Sequence, residues 1–339
     1  MSTVSSLPRS MRALTVQSAG GDFIPTQLPV PQPQAGEVLV RIVASGVNPL
    51  DTKIRAGNAA HAQQPLPAVL GIDLAGVVVA VGVGVDNFRP GDEVYGMAGG
   101  IGGLQGTLAE YAAVDARLLA PKPQNLTMRE AAALPLAAIT AWEGLVDRAQ
   151  VAAGQRVLVH GGAGGVGHIA VQLARARGAQ VFSTVAAGQF ALAQRLGAVP
   201  IDYRASSVAD YVAQHTQGQG FDVVFDTVGG ATLDASFTAA RRYGGHVLSI
   251  LGWGTHALAP LSFRSATYSG VFTLYPMISG VGRAHHGEIL RAITELVEAG
   301  KLRPMLDAQR FGLESAQDAH HLVESGMARG KVVVDIAIE

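Results

Sequence analysis

A glycine-rich turn between an apolar run and a helical pattern constrains this fold more than any other feature of the chain. Residues 162–167 read GAGGVG, a GxGxxG pattern with its spaced glycines at Gly162, Gly164 and Gly167. The run 157–159 before the turn is typical of a buried parallel strand, and the apolar positions from 166 to 174 recur at helical spacing. In such a strand–turn–helix unit, glycines allow a pyrophosphate to approach the backbone at the helix N-terminus. The turn therefore predicts a dinucleotide site; the alternative is a glycine turn that serves packing alone.

The loop after the next predicted strand bears on which dinucleotide is bound. Sites that prefer NAD carry Asp or Glu about 20 residues after the glycines, where the carboxylate holds the ribose 2′-hydroxyl. The chain has no acidic residue between Asp147 and Asp202, and the loop at 184–189 is neutral, so a 2′-phosphate would not be repelled. We therefore predict NADPH. NADH stays as the alternative, because the loop has no Lys or Arg, and only Tyr203 and Arg204 after the third strand could supply a phosphate contact.

Length and charge exclude several classes of protein. With 339 residues, 48% of them hydrophobic, the chain can bury a large core and fits two domains. A net charge of −1 gives no electrostatic case for nucleic acid or an acidic membrane surface. No apolar stretch approaches the ~20 residues of a membrane-spanning helix, and residues 1–11 lack the apolar core of a signal peptide. We therefore expect a cytoplasmic protein that binds neither nucleic acid nor membrane.

The absence of cysteine removes another set of functions. Without a thiol the chain can form no disulfide, no thiolate nucleophile and no cysteine-based zinc site. Histidine would have to hold any metal alone, and the doublets His285-His286 and His320-His321 are poor candidates, since neighbours on a helix point about 100° apart. We interpret these histidines as solvated helix-surface residues and predict no metal site.

The pattern of predicted secondary structure changes near residue 129. Residues 11–120 alternate short β-rich runs, such as Glu37–Val43 and Gly76–Val81, with turns, which is typical of a small, mostly antiparallel barrel. Beyond 129, helices and strands alternate, which predicts a parallel sheet wound on both faces. A capping box of Thr127 and Glu130 predicts a helix over 128–146. The predicted strands cover residues 156–160, 180–185, 198–202, 221–227 and 245–251.

The last part of the chain is predicted to return to the first domain. Two helices, at 289–299 and 315–324, precede a final strand at 331–338. The predicted domains are therefore a discontinuous one, formed by residues 1–128 and 272–339, and a dinucleotide-binding one at 129–271.

Several short segments together resemble a known superfamily. They are ASGVNPLD at 44–51, GIDLAGVV at 71–78, GDEV at 91–94, AALP at 132–135 and the HGGAGGVG turn at 160–167. In order and spacing, they resemble the medium-chain dehydrogenase/reductase superfamily, specifically its zinc-free quinone oxidoreductase branch, from Met11 onward. The resemblance implies an α/β fold with a GroES-like, mostly antiparallel β-barrel domain plus a Rossmann domain with a doubly wound parallel sheet. It also implies a homodimer joined through edge strands of the Rossmann domain.

The same resemblance implies a chemistry. Members transfer hydride from NADPH to quinones or to carbon–carbon double bonds conjugated with a carbonyl, with the substrate in a cleft between the domains. Zinc-dependent alcohol dehydrogenases of the superfamily have Cys at the position of Asn48 and Gly-His-Glu at 71–73, which here reads Gly-Ile-Asp. Their four-cysteine structural lobe is also missing from this sequence. We therefore expect a zinc-independent reductase of small, apolar, electron-poor acceptors.

Two catalytic residues are predicted from this resemblance. Asn48 would lie near the nicotinamide and donate a hydrogen bond to the acceptor oxygen; the alternative is a loop residue that holds its own turn before Pro49. Lys53 stands where many relatives carry a tyrosine proposed to protonate or orient substrate, and an ammonium there could stabilise developing negative charge. The alternative for Lys53 is a solvated surface lysine. Asp51 is expected to cap the following helical turn or to pair with Lys53 or Arg55.

The predicted cofactor contacts come from the glycine turn and from the resemblance. Relatives bind the 2′-phosphate with a lysine, whose position falls here near Gln189, and with a C-terminal arginine, for which only Arg329 or Lys331 is nearby. The complete predicted set is Asn48, Thr140, Gly162, Gly164, Gly165, Val166, Gly167, Thr184, Tyr203, Thr227, Ile250, Leu251, Phe272 and Lys331. Four aromatic residues could form an apolar wall for a flat ring: Trp253, Phe263, Phe272 and Tyr275.

Two other functions stay open on the sequence alone. One is a 2-enoyl-thioester reductase, which the lysine at 53 disfavours because a tyrosine is missing there, and for which no basic groove for coenzyme A is obvious. The other is a protein that binds NADPH without significant turnover, like the crystallin relatives in this family.

Overall fold

The strands fall into an antiparallel group and a parallel group in the computed structural model, which describes residues 7–337. In chain order they are β1 (Ser10–Val16), β2 (Ile24–Pro29), β3 (Glu37–Val47), β4 (Ala68–Val69), β5 (Asp73–Val81), β6 (Glu93–Met97), β7 (Tyr111–Asp115), β8 (Leu119–Pro121), β9 (Arg156–His160), β10 (Gln180–Val185), β11 (Val199–Asp202), β12 (Val223–Asp226), β13 (His246–Ser249), β14 (Thr267–Gly270), β15 (Phe311–Gly312) and β16 (Val332–Asp335).

The helices alternate with strands mainly in the middle of the chain. In chain order they are α1 (Pro49–Arg55), α2 (Met128–Ala132), α3 (Pro135–Trp142), α4 (Gly167–Ala176), α5 (Phe190–Leu196), α6 (Val208–Thr216), α7 (Ala231–Ala239), α8 (Ala259–Ser262), α9 (Tyr275–Ser279), α10 (Arg283–Glu298) and α11 (Ala316–Glu324). A π-helix follows α3 at Glu143–Arg148. Among the described helices, none has both the length and the apolar character needed to cross a membrane.

The described chain divides into two units. Unit 1 contains residues 7–136, 274–298 and 304–337, and unit 2 contains residues 137–273 and 299–303. Residues 1–6, on which the expectation about a signal peptide partly rests, and Ile338, at the end of the predicted last strand, lie outside the described residues.

Unit 1 is built around the long strand β3. Its seven-stranded sheet has the order β15-β16-β3-β5-β6-β8, with β7 also paired to β3, and a second sheet has the order β2-β1-β4. Every pairing in these sheets is antiparallel except that of β15 with β16. Register shifts between Leu39 and Val40 and between Ile42 and Ala44 indicate bulges, and a bulge bends a strand. The first half of β3 pairs with β7 and the last residues pair with β16, which brings the C-terminal strand beside residue 47.

Unit 2 is a six-stranded parallel sheet. The order β11-β10-β9-β12-β13-β14 places the first strand, β9, in the centre, and the chain winds outward from it in both directions. The five strands predicted from apolar runs are all present within a few residues of their predicted limits. A core that includes Phe182, Phe221 and Phe237 covers this sheet, with Phe182 and Phe221 in edge-to-face contact. The predicted α/β fold, with an antiparallel domain and a doubly wound parallel sheet, is confirmed.

The helix predicted over 128–146 is instead broken into pieces. Its start is as predicted, because Thr127 caps α2 and the Glu130 carboxylate accepts a hydrogen bond from the Thr127 backbone N–H at 2.9 Å. The helix stops at Ala132 and resumes at Pro135, because proline cannot donate a backbone hydrogen bond and its ring clashes with the preceding helical turn.

Helix α2 belongs to unit 1, although the predicted domain boundary was placed at 128/129. A Cβ on Gly46 of β3 would overlap the Ala132 carbonyl, so the helix lies directly on that strand. The Arg129 guanidinium also forms an ion pair with Asp335 of β16, with 2.6 Å between Nη1 and Oδ1. These contacts keep residues 129–136 with the antiparallel unit.

Candidate active site

The glycine turn at 161–167 contains glycines of two kinds. A Cβ on Gly162 would overlap the Ser183 hydroxyl of β10, and a Cβ on Gly167 would overlap the Gly161 carbonyl. These two positions are buried and need glycine for packing between strand and helix. Gly164 and Gly165 are exposed instead. Their backbone lies immediately before α4, at the positive end of the helix dipole, so this exposed position fits an anionic pyrophosphate; the N–H groups of His168 and Ile169 inside the helix already donate to the carbonyls of Gly164 and Val166.

Four polar side chains form a row across the carboxyl ends of neighbouring strands in unit 2. Thr184, His160, Asp226 and Ser249 lie on β10, β9, β12 and β13, and each is the register partner of the next. His160 Nδ1 lies 2.9 Å from Thr184 Oγ1, and Ser249 Oγ donates to Asp226 Oδ2 at 2.7 Å. All four are at least 95% buried. We call this set the polar row.

The polar row also fixes the loop that follows β12. The Asp226 carboxylate accepts hydrogen bonds from the backbone N–H groups of Val228 and Gly229, at 3.0 and 2.9 Å. The Thr227 hydroxyl donates to the His160 carbonyl at 2.6 Å. Burial lowers the pKa of His160 to about 4, so its imidazole is neutral near pH 7. Within residues 7–337, His160 Nε2 has no hydrogen-bond partner.

Tyr203 and Arg204 follow β11, the strand next to β10. Val185 and Asp202 are register partners, so the loop after β10 and the Tyr203-Arg204 pair leave the sheet at the same edge. The Arg204 guanidinium carbon lies 5.5 Å from the centre of the Tyr203 ring, and Tyr203 is 53% exposed. The pair therefore lies at the same end of the sheet as the loop after β10, and its contact with a 2′-phosphate stays a prediction.

Unit 1 contains a buried cluster of charged and amide groups. We define the buried charge cluster as Asn48, Asp51, Asp73 and Lys331, each at least 95% buried. Asn48 Nδ2 donates to Asp73 Oδ2 at 2.9 Å, and the Lys331 ammonium donates to Asn48 Oδ1. The second oxygen of Asp73 accepts the backbone N–H of Leu136 at 3.0 Å.

Asn48 precedes α1 as its N-cap residue but uses its side chain elsewhere. Asp51 caps the helix in its place, since Asp51 Oδ2 accepts the Asn48 backbone N–H at 2.8 Å. Both ends of the Asn48 amide are engaged by residues outside α1, namely Asp73 and Lys331. Capping of α1 therefore explains the position of the Asp51 carboxylate, as predicted. It does not explain why the side-chain amide of Asn48 is bonded to Asp73 and Lys331.

Burial dominates the electrostatics of the buried charge cluster. It raises the pKa of Asp51 to about 7 and that of Asp73 to about 6, because a carboxylate is poorly solvated there. It lowers the pKa of Lys331, while the two carboxylates act in the opposite direction and favour the ammonium. Among the described residues, Asp51 Oδ1 has no hydrogen-bond partner.

The structure brings together part of the predicted site residues. Thr184, Thr227, Ile250 and Leu251 gather with the glycine turn at the carboxyl ends of adjacent strands, and the Leu251 N–H donates to Ser249 Oγ at 3.1 Å. Thr140 is buried on α3, and Phe272 follows β14 and is 36% exposed. The four aromatic residues of the predicted wall are exposed, by 36% to 86%.

Lys53 and Lys331 differ in exposure, and the roles predicted for them stay predictions. Lys53 is exposed on α1 and is not part of the buried charge cluster. Lys331, predicted from the resemblance as a cofactor contact, is enclosed with Asn48. Sequence reasoning missed that Asp73 and Lys331 hold Asn48 between them; the only signal was the presence of Asp73 in the GIDLAGVV segment.

Only one histidine of each doublet is exposed to solvent as predicted. His285 and His321 are exposed, whereas His286 and His320 are fully or almost fully buried, which corrects the interpretation of all four as solvated. The reason is the angle of about 100° between neighbours on a helix, which here places His286 and His320 on the packed face and His285 and His321 outside it.

The described side chains form no cluster suited to a metal ion. Over residues 7–337, no three His, Cys, Asp or Glu side chains lie in an arrangement that would hold a metal ion. Ile72, at the position of the zinc-binding histidine in the alcohol dehydrogenases, is in the core. A Cβ on Gly71 would overlap the Thr107 hydroxyl. Zinc independence stays a prediction.

Two family models match this chain. The alcohol dehydrogenase GroES-like domain matches residues 34–124, and the model described as zinc-binding dehydrogenase matches residues 196–334. The chain is 37% identical to a 2-methylene-furan-3-one reductase of Solanum lycopersicum, over 98% of this chain and 81% of that protein. It is 36% identical to an NADPH-dependent alkenal/one oxidoreductase, chloroplastic, of Arabidopsis thaliana, over 97% and 80%.

Solved structures show the same likeness. An alcohol dehydrogenase superfamily protein from Novosphingobium aromaticivorans is 58% identical, with a TM-score of 0.95 over 96% of this chain and 100% of that one. The quinone oxidoreductase from Coxiella burnetii is 29% identical, with a TM-score of 0.81 over 97% and 100%. The chain therefore belongs to the medium-chain dehydrogenase/reductase superfamily, in its quinone oxidoreductase-like branch.

Proposed function

We propose that this protein reduces quinones and α,β-unsaturated carbonyl compounds with NADPH as the hydride donor. The observation that carries the proposal is the similarity, along nearly the whole chain, to reductases whose names specify a methylene-furanone and alkenals or enones. The exposed glycines of unit 2 and the buried charge cluster of unit 1 supply the kinds of group that such an oxidoreductase needs.

Reduction of an enone or quinone requires little acid–base machinery. When bound, NADPH supplies a hydride, which carries two electrons. With an enone, a C–H bond forms at the β-carbon, the electron pair of the double bond moves through the carbonyl onto oxygen, and a proton from solvent gives the saturated ketone. The tasks left to the chain are to bind, to orient and to stabilise the developing negative charge.

The two units supply different parts of these tasks. In unit 2, the exposed backbone of Gly164 and Gly165 just before α4 would hold the pyrophosphate, and the loops after β12 and β13, which the polar row fixes, would supply the neighbouring contacts. In unit 1, the Asn48 amide is the hydrogen-bond donor proposed for the acceptor oxygen. One of its two N–H groups donates to Asp73, so the proposed role falls to the other.

The preference for NADPH over NADH is proposed to depend on Arg204. Arg204→Ala should weaken NADPH binding about tenfold and leave NADH binding unchanged, because only the former has a phosphate for the guanidinium to bind. Titration of both dinucleotides measures this. Arg242→Ala is the matched control, since Arg242 is exposed and precedes β13 at the opposite end of the sheet. An equal loss for both dinucleotides would contradict the assignment.

Lys53 keeps its proposed polarising role as a separate hypothesis. Lys53→Ala should lower kcat about tenfold or more if the ammonium stabilises charge in the transition state, with NADPH affinity unchanged. Normal turnover would refute the role, and the exposure of Lys53 makes it independent of the buried charge cluster.

We also propose that the activity does not require zinc. Asn48 and Ile72 stand at positions where the alcohol dehydrogenases have zinc ligands, and the whole sequence has no cysteine. Treatment with a strong chelator should leave kcat unchanged, as measured beside elemental analysis of the same protein sample. Stoichiometric zinc in the active protein, lost together with activity, would overturn this.

A homodimer through the parallel sheet of unit 2 is proposed from the superfamily resemblance. The edge strands of that sheet, β11 and β14, are the elements that could pair with a second copy. Light scattering coupled to size-exclusion chromatography tests the expected dimer, and a monomer at all concentrations would contradict it.

A panel of acceptors tests the proposed function directly. NADPH absorbance should fall with enones, alkenals and quinones, and about tenfold or more slowly with enoyl thioesters and saturated aldehydes, which lack an equally activated π-system. Faster turnover of enoyl thioesters would favour the enoyl-thioester alternative. Tight NADPH binding with no turnover across the panel would indicate a non-catalytic binding protein.

A further inference from the structure

The side-chain amide of Asn48 is held between a cation and an anion. Its oxygen faces the Lys331 ammonium, and its nitrogen faces the Asp73 carboxylate at 2.9 Å. An ammonium can only donate hydrogen bonds and an ionised carboxylate can only accept them. Both neighbours therefore require the same orientation of the amide, with its oxygen towards Lys331 and its nitrogen towards Asp73.

Lys331 is itself held rigidly at this position. Its backbone N–H donates to the Met305 carbonyl at 2.7 Å, and its carbonyl accepts the Asp307 N–H at 3.0 Å. The next residue, Val332, is the register partner of Val47 on β3, immediately before Asn48. The lysine therefore reaches Asn48 from a fixed backbone, unlike a mobile surface lysine.

A stabilising role does not account for the buried charge cluster. Replacement of a buried ion pair by well-packed apolar side chains is often neutral or stabilising, so such a pair is weak evidence of a stabilising role. The cluster has one cation facing two carboxyl groups, and Asp51 leaves one buried oxygen without a partner in the described chain. A fixed geometry at Asn48 is what this arrangement provides.

We propose that Lys331 is a positioning residue for the reductase reaction, holding the Asn48 amide in one orientation and polarising it as a donor to the acceptor oxygen. This inference rests on the proposed function. A cation on the amide oxygen draws electron density from the amide nitrogen, which makes its N–H a stronger donor. The effect grows as the acceptor oxygen gains negative charge, so it should appear mainly in kcat.

Lys331→Met tests the inference, because methionine keeps the length of the side chain and removes its charge. We expect kcat to fall at least about tenfold, with the Kd for NADPH unchanged within about twofold. Lys122→Met is the matched control. Lys122 is also a buried lysine of unit 1, bonded to the Leu126 carbonyl and paired with Glu93 at 3.2 Å, but it lies outside the cluster. It should lower thermal stability without changing kcat.

Two further variants separate positioning from folding. Lys331→Met leaves Asp73 without its cation, so the protein could unfold; Lys331→Met combined with Asp73→Asn removes both charges. In this double variant we expect the melting temperature to recover and kcat to stay low. A kcat that recovers together with the melting temperature would show a merely structural lysine and overturn the inference.

A double-mutant cycle tests whether Lys331 acts through Asn48. In the background of Asn48→Ala, Lys331→Met should cause little further loss of kcat, because the group that it positions is already missing. Independent, multiplicative losses would overturn the inference. The same cycle in thermal stability reports the contact without turnover. A wild-type protein that reduces no acceptor would overturn the proposed function and this role with it, whereas an active wild type with a fully active Lys331→Met overturns this role alone.

Discussion

Gly162 and Gly164 belong to one turn but have different physical reasons to be glycine. At Gly162 the space for a side chain is filled by Ser183, whose Cβ would lie 2.8 Å from an added Cβ and whose hydroxyl would overlap it. Gly164 is exposed, and the nearest atom to an added Cβ there is the Gly161 carbonyl oxygen at 3.1 Å. Glycine at position 162 is thus needed for packing of the strand against the helix. Glycine at position 164 leaves room for a ligand beside the backbone.

Gly162→Ala should therefore destabilise unit 2 by about 1–3 kcal/mol through overpacking, and should weaken NADPH binding as the turn shifts. Trp142 and Trp253 both lie in unit 2, so tryptophan fluorescence during urea unfolding follows this unit selectively. Gly188→Ala is the control, since no described atom lies within 4 Å of its added Cβ. Equal stabilities for the two variants would contradict the packing argument.

The two lysines show why single-residue roles are hard to predict. Lys53 is close to Asn48 in sequence, and its exposure depends only on which face of α1 is packed. Lys331 lies 283 positions away and reaches Asn48 because β16 pairs with the end of β3. A local motif can identify Asn48 as unusual, but no local pattern states which distant side chain a strand pairing will bring to it.

At the scale of elements, the polar row joins four strands that are scattered along the sequence. Its members stand at the last or next-to-last position of each strand, so the parallel register alone aligns them. The strands themselves were predictable, because continuous apolar runs are typical of buried parallel strands. The helix at 128–146 was predicted too long because an apolar pattern continues across Pro135, where the backbone cannot.

The row predicts a pH dependence for the stability of unit 2. The His160 pKa is lowered by burial to about 4, from an ordinary value of 6.5. Between these two pH values the unfolded chain binds a proton that the folded chain does not, so the free energy of unfolding falls as the pH falls from 6.5 towards 4. His160→Gln cannot titrate. The wild type should lose about 1–3 kcal/mol more than this variant between about pH 7 and pH 4.5.

Urea unfolding followed by tryptophan fluorescence measures that difference. The carboxyl groups of Asp51 and Asp73 act in the opposite direction, since their raised pKa values favour the folded state at lower pH, but they belong to unit 1 and not to the unit that contains the tryptophans. His285→Gln, an exposed residue of unit 1, should keep the wild-type slope. Parallel pH profiles for wild type and His160→Gln would refute the role of His160.

At the scale of the whole molecule, the main feature is that unit 1 is discontinuous in sequence and includes the late strand β16. The last described strand, β16, pairs with β3 and β15, and its three valines, Val332–Val334, are at least 99% buried. The return of the chain was predictable from the final apolar run, because a buried strand needs a sheet to join. The partner strand was not, since antiparallel pairing can be satisfied by any exposed edge.

Removal of residues 331–339 should therefore unfold unit 1 while the core of unit 2 stays folded. The deletion takes away three buried valines, each worth about 1.5–3 kcal/mol, together with the Lys331 ammonium and the Arg129 partner Asp335. The core around Phe221 and Phe237 contains no residue from this segment. Hydrogen exchange measured by mass spectrometry should show fast exchange in peptides from β3 and β5 and continued protection in peptides from β9 and β12. Met327→Asp, at a site 70% exposed just before the deleted segment, should leave both regions protected. Loss of protection in both units at once would contradict the prediction, because it would mean that unit 2 does not stay folded once unit 1 has unfolded.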